Sequence, residues 1–345
     1  MREVHRMLKR MISFVLVLAL MLSLAENGIS ALLAGGGGER AASAEGNQSD
    51  ETGGAFDITT GEEFMEAVCP ENANAVLNLL NDITLPSEYA PSVHFSGVLN
   101  GNGHTIYGLN ITQDTLAVSG LFLGLNGAEI QDVHIVDASM HLVDPAIDID
   151  SQNWNYAYGI LAGYARNSMI RNCTVSGTVI ISVEQDTVNS LYVGGLIGAV
   201  NYGCKISDCT SSANVTVSTN TNAYVGGLVG SVSMIGDIVL LNSAYEGDVR
   251  VNYGGSGKVY VTGLGISYGS TSEYFTGCSV RGSIWAEAAA GNIEAIGICQ
   301  MSGGNSDVEI YAKSEFGLAT AIGALHCVNM DFTGSITAET VSGTA

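Results

Sequence analysis

One recurrent segment constrains the fold of this chain more than any other feature. AYGILAGYARNSMIRNCTVSGTVIIS begins at Ala157, LYVGGLIGAVNYGCKISDCTSSANVTVS at Leu191 and AYVGGLVGSVSMIGDIVLLNSAYEGDVRV at Ala223. The same frame continues more weakly from Val259, Ala295 and Ala321, and GLFLGLNGAEIQDVHIVDASM precedes it from Gly120, so seven copies cover residues 118–340. Self-similarity at this period is the signature of a solenoid, a propeller or an array.

Aligned, the copies share a column of Asp132, Asn172, Asp208, Asn242, Gly277, Asp307 and Asn329, the residue types that best tolerate a left-handed turn. Val133, Cys173, Cys209, Ser243, Cys278, Val308 and Met330 form the next column. Two positions on come Ile135, Val175, Ser211, Tyr245, Val280, Ile310 and Phe332, followed by Val179, Val215, Val249, Ile284 and Ile336 in the copies that extend so far. Apolar residues at every second position are strand periodicity, and β-branched residues interrupted by glycine argue against helical repeats. The intervals along the second column, 40, 36, 34, 35, 30 and 22 residues, suit one coil of a parallel β-helix per copy, the longer ones carrying an extra loop. The expected fold is therefore all-β, a parallel solenoid of eight or nine coils.

Composition fits that reading and narrows function. The 345 residues carry 34 Asp and Glu against 12 Lys and Arg, a formal charge of −22, with 44 Gly and 4 Pro. Most nucleic-acid-binding readings are excluded for want of a basic footprint, and no nucleic-acid partner is expected. Charged residues make up 13% and apolar ones 46%, the reverse of a disordered chain. Arg2, Arg6, Lys9 and Arg10, then the apolar run Met11–Ala25, then small residues make the layout of a secretory signal peptide, with Ala42-Ser43-Ala44 as the best cleavage pattern. The expected organisation is a signal peptide over 1–44, a disordered linker over 45–55, a cap and first coils over 56–117, and repeats over 118–345. No second apolar span follows, so no transmembrane span is expected after cleavage. The expected location is outside the cell or on its surface.

The cores Gly194-Gly195-Leu196-Ile197-Gly198 and Gly226-Gly227-Leu228-Val229-Gly230, each leading to Asp208-Cys209 or Asn242-Ser243, resemble GLUG-motif repeats, with Gly159-Ile160-Leu161-Ala162-Gly163 as a looser copy. Upstream, Phe95–Ile106 resembles the segment that opens such β-helices, Glu62–Val68 the usual short N-terminal capping helix and Val76–Leu85 the first strand. The resemblance implies a right-handed parallel β-helix on, or secreted by, a bacterium, often part of a longer adhesin or exported peptidase, whose repeats carry no catalytic residues. The chain stops in VSGTA after one finished coil, with no capping helix, so the expected natural protein continues beyond it or masks that end with a partner.

No metalloprotease, phosphate-loop or zinc-finger spacing occurs. Gly265-Ile266-Ser267-Tyr268-Gly269 matches the nucleophile-elbow pattern, with Asp307 and His326 following in triad order, but it overlies a β-helix repeat rather than a strand-to-helix turn. Cys173 and Cys209 stack on neighbouring coils, where a small buried ladder explains them better than a disulfide or a metal. Asp144–Tyr158 is the candidate binding loop, with Asp148, Asp150, Asn153, Trp154 and Tyr156 as ligand residues. Aromatic faces beside amides suit sugar rings, and the two acids make calcium a candidate ion although no cofactor is indicated. Trp285, outward between Ile284 and Ala286, is a second candidate contact. The expected function is a non-catalytic scaffold or adhesin presenting loops to a glycan or to a host or bacterial surface protein. The alternatives are a carbohydrate-active lyase or hydrolase on a pectate-lyase-like β-helix and a non-catalytic segment of a larger exported peptidase.

Overall fold

The computed structural model describes residues 53–112, 117–145, 156–184, 190–232, 239–267, 275–299 and 301–341. The segment expected to be a signal peptide, and all of the expected linker up to residue 52, lie outside the described residues. Strand structure starts at Ala55, inside the stretch expected to be linker, because Ala55–Ile58 pairs with Val76–Leu79 as the first rung of the solenoid.

Every strand pairing is parallel, and each joins a coil to the next, so the described chain is a parallel β-helix. One coil illustrates the rest. Lys205–Ser207 leads into a turn at Asp208, the long strand Thr210–Thr219 follows, then Ala223–Gly226, a tight corner, and Val229–Val232. The short strands before the turn and the long strands after it belong to one seventeen-stranded sheet, and the other two sides are sheets of seven and six strands. A single rung series runs from Ala55–Ile58 through strands opening at Val76, Val98, Glu129, Met169, Lys205, Val239, Phe275 and Met301 to Val328.

The turn column folds as its residue types dictate. Asp132, Asn172, Asp208, Asn242 and Asn329 have φ between 47° and 56°, and Gly277 has 67°. Asn172 Nδ2 donates to Asp132 Oδ1 at 2.6 Å and Asn242 Nδ2 to Asp208 Oδ1 at 3.4 Å, so two pairs of neighbouring turns in the column are also hydrogen-bonded. Asp307 does not belong to it. Cys278 pairs with Gly304 and Gly304 with Met330, which puts Gly303, φ 68°, at the turn of the sixth copy. Asp307 lies instead on the long strand, exposed, between Arg281 and Thr333, whose hydroxyl donates to it at 3.0 Å. Val308 and Ile310 move with it, and Ile310 joins Ile284 and Ile336.

The column after the turn faces inward. Cys173, Cys209, Ser243 and Cys278 are buried, and each directs its Sγ or Oγ to the carbonyl two residues back, at 3.2, 3.2, 2.8 and 3.5 Å. In these four coils the position holds a small side chain that can donate, so serine can stand in for cysteine, whereas Val133, Gly304 and Met330 occupy it in other coils without that bond. The thiols are unbonded. Burial raises Cys204 and Cys278 to about 11, and the hydrogen bond with Cys173 together with burial holds the Cys209 thiol above its ordinary range. The same hydrogen bond lowers the Cys173 thiol, so burial rather than pKa sets its access. Iodoacetamide at pH 8 is expected to modify the half-buried Cys69 and Cys327 in the native protein, and the buried Cys173, Cys204, Cys209, Cys278 and Cys299 only after denaturation. Native labelling of any of those five, read by peptide mass spectrometry, would contradict this.

The corner explains the glycine-rich core of each repeat. A Cβ at Gly194 would stand 2.0 Å from the Ile197 carbonyl oxygen, and one at Gly226 1.9 Å from that of Val229. Leu121, Leu161, Leu196, Leu228 and Leu264 point inward from these corners and are buried. At the first coil Thr60 and Glu63 form a capping box that starts the helix Gly61–Ala67, one residue earlier than the sequence suggests. That helix inserts Phe64 among Tyr89 and Phe122, at centroid distances of 6.2 and 6.5 Å, and Phe122 stacks on Phe95 at 4.7 Å.

Candidate functional site

Long strands expose every second residue, and their register builds columns across coils. Thr216, Arg250, Trp285, Tyr311 and Thr337 form one outward column. Two residues further along each strand, Ser182, Ser218, Asn252, Glu287, Lys313 and Glu339 form the next. Trp285 stacks on Tyr311 with centroids 3.9 Å apart and 22° between the planes, yet stays 40% exposed. The rings cover each other's inner faces and leave a half-exposed apolar strip on the sheet. The Tyr311 hydroxyl donates to Glu339 Oε2 at 3.1 Å, and burial, then the Glu339 carboxylate, holds the phenol above its ordinary value.

Beside that strip, where the long strands end and the chain turns, a groove of about 440 Å³ follows the helix axis. Ser182, Glu184, Ser218, Asn220, Asn252, Glu287, Lys313 and Glu315 are among its lining residues, contributed by five successive coils. Its wall is braced by hydrogen bonds between coils: Asn220 Nδ2 donates to the Glu184 carbonyl at 2.6 Å, and the Glu184 amide donates to Asp144 Oδ1 at 2.7 Å. Serine hydroxyls, amides, carboxylates and one ammonium thus sit within reach of one elongated ligand, with an apolar strip alongside, the mixture that polar, ring-containing ligands require.

Of the two sequence-predicted ligand residues that are described, Trp285 has this setting. Asp148, Asp150, Asn153 and Trp154 lie outside the described residues. Tyr156 is not a surface contact: it opens the strand Tyr156–Tyr158, pairs with Leu191 and is 2% exposed. Asp144, the start of the expected loop, stands beside Glu184 at one end of the groove. Among the described residues no group of three or more histidine, cysteine, aspartate or glutamate side chains is arranged to hold a metal ion. Ser267 ends the strand Ile266–Ser267, while Asp307 belongs to a different sheet. Among the described residues no helix is long and apolar enough to cross a membrane.

A second aromatic column occupies the seven-stranded sheet. Tyr192, Tyr224 and Tyr260 stack at 5.1 and 5.3 Å, with Lys258 Nζ 4.2 Å above Tyr260 and paired with Glu294 at 2.6 Å. Tyr224 and Tyr260 pack on a small cluster of Ile266, Ile296 and Cys299, so this column is partly absorbed in packing. Sequence reasoning missed both the groove and the Tyr311 partner. The signal available was the in-register pair Trp285 and Tyr311, which the four-residue misalignment of the sixth copy concealed.

Residues 155–180 and 189–216 match the family described as the GLUG motif. No curated protein and no solved structure matches the chain. Both matched segments contain the corner, the turn and the start of the long strand. The chain therefore carries GLUG-motif repeats, and they form two consecutive coils of its parallel β-helix.

Proposed function

We propose that this chain is an exported, non-catalytic β-helix scaffold that binds glycan on the outer face of its long strands, as a cell-surface or secreted adhesin. The observation that carries the reading is the half-exposed Trp285–Tyr311 pair beside an axial groove lined by hydroxyls, amides and carboxylates. Aromatic surface next to convergent polar groups is how sugars are held, apolar ring hydrogens on one side and hydroxyls on the other. Export rests on the charged, apolar and small-residue layout of residues 1–44. On a glycan array the full chain is expected to retain a defined set of glycans, and Trp285→Ala to weaken that binding about tenfold or more without loss of fold. Equal binding by the variant would remove this face from the reading, and a silent array would redirect the search to protein partners.

A second reading has its own support. Glu184, Glu287 and Glu315 line the same groove with Lys313 among them, and paired carboxylates with a nearby base are the requirement of glycoside hydrolases and lyases. Incubation of bound polysaccharide with the chain, followed by reducing-end and unsaturated-product assays, decides between holding and cleaving. Product formation that Glu287→Gln abolishes would make the groove catalytic.

A further inference from the structure

Resting on the glycan reading above, we infer that the ligand is an unbranched, uncharged polysaccharide laid along the helix axis, with about one sugar unit per coil. The groove sets the direction. Its lining is contributed by Ser182, Ser218, Asn252, Glu287 and Lys313, which are Cα partners on five successive rungs, so their polar atoms repeat along the axis rather than around the coil. Neighbouring rungs are about 4.8 Å apart, so the five span roughly 19 Å. A β-linked sugar chain advances by a similar length per residue, so its hydroxyls can meet each rung in the same way. The Trp285–Tyr311 strip runs parallel to the groove, one outward position away, and gives such a chain an apolar flank along two of the rungs. Because the strip stands one outward position from the groove, a branch at every unit would point into it, whereas an unbranched chain needs only the groove and its flank.

The charges set the class. The groove presents three carboxylates, Glu184, Glu287 and Glu315, against one ammonium, Lys313, in a chain of formal charge −22. A uronic-acid or sulfated polymer entering it would meet net like charge. A polycation would be drawn by the three carboxylates but opposed at Lys313, which stands in the column between Glu287 and Glu339, and it would leave the hydroxyl and amide positions that make up most of the rest of the lining without charge partners. Carboxylates that accept, an ammonium that donates and amides that do both are instead the complement of sugar hydroxyls, which need both at once.

The test titrates the full chain by calorimetry with oligosaccharides of two to eight units: uncharged gluco-, manno- and galacto-series, oligogalacturonate, and deacetylated chito-oligosaccharide, each at low and high salt. The expected result is binding within an uncharged series, with affinity that rises with length and levels off near five units, that is insensitive to salt, and that Trp285→Ala and Asn252→Ala each weaken about tenfold. Tighter binding of oligogalacturonate, or of the chito-series with loss at high salt, would overturn the uncharged class while leaving glycan recognition intact. Binding that stops improving at two units would overturn the axial placement. Failure of every linear series together with retention of branched glycans on the array would overturn this inference alone, and failure of both would overturn the glycan reading with it.

Discussion

Replacing Gly226 by alanine is expected to destabilise the fold by about 3 kcal/mol or more, at the upper end of what overpacking costs. The added methyl would lie 1.9 Å from the Val229 carbonyl oxygen and 2.7 Å from its carbon, and backbone in a paired strand cannot rotate away as a side chain can. Gly127→Ala is the control. At Gly127 nothing stands within 4 Å of a Cβ, but φ is 75°, so only the left-handed penalty of about 1–2 kcal/mol remains. Urea unfolding followed by circular dichroism should place the Gly226→Ala midpoint clearly below that of Gly127→Ala. Equal midpoints would mean that the corner relaxes at little cost, and the account of the glycine-rich core would fail.

Phe122→Ala should cost about 3–5 kcal/mol, the usual range for removing a buried aromatic from a core. Phe122 has no exposed surface, stacks on Phe95 and touches Phe64, so its loss opens the cluster that fills the first coils. Because each coil contacts chiefly its neighbours, the damage should stay local. Hydrogen exchange is expected to speed up in Val76–Leu79, Val98–Asn100 and Phe122–Asn126, while Thr210–Thr219 and Ala244–Tyr253 keep their protection. Uniform loss of protection along the whole solenoid would show that the coils unfold as one cooperative unit.

Much of the fold was legible because the relevant signals are local. Alternation identifies a strand within a few residues, as in Thr210–Thr219, and an Asn or Asp before a small inward residue identifies the turn, as at Asn172-Cys173 and Asp208-Cys209. Legibility failed where two local signals vanished together. In the sixth copy Gly303-Gly304 replaces the Asn-Cys pair, and Asp307 offered a more familiar residue four positions later. Glycine marks a left-handed turn as well as asparagine does, but it also occurs throughout this chain, so it does not fix a register by itself.

The candidate site divides along the same line. Outward placement of Trp285 follows from alternation with the buried Ile284 and Ala286, whereas burial of Tyr156 does not, because a strand that faces packing on both sides reads like any aromatic-rich loop. By itself the sequence determined the repeat, the strand period, the left-handed turns, the acidic charge and the outward tryptophan, all of which are written in short stretches of residues. Only the tertiary structure decided that Trp285 lies on Tyr311, and that Ser182, Ser218, Asn252, Glu287 and Lys313 line one groove. Those side chains are separated by some thirty residues per coil, and what brings them together is rung-to-rung hydrogen bonding, whose register depends on loop lengths that no local pattern encodes.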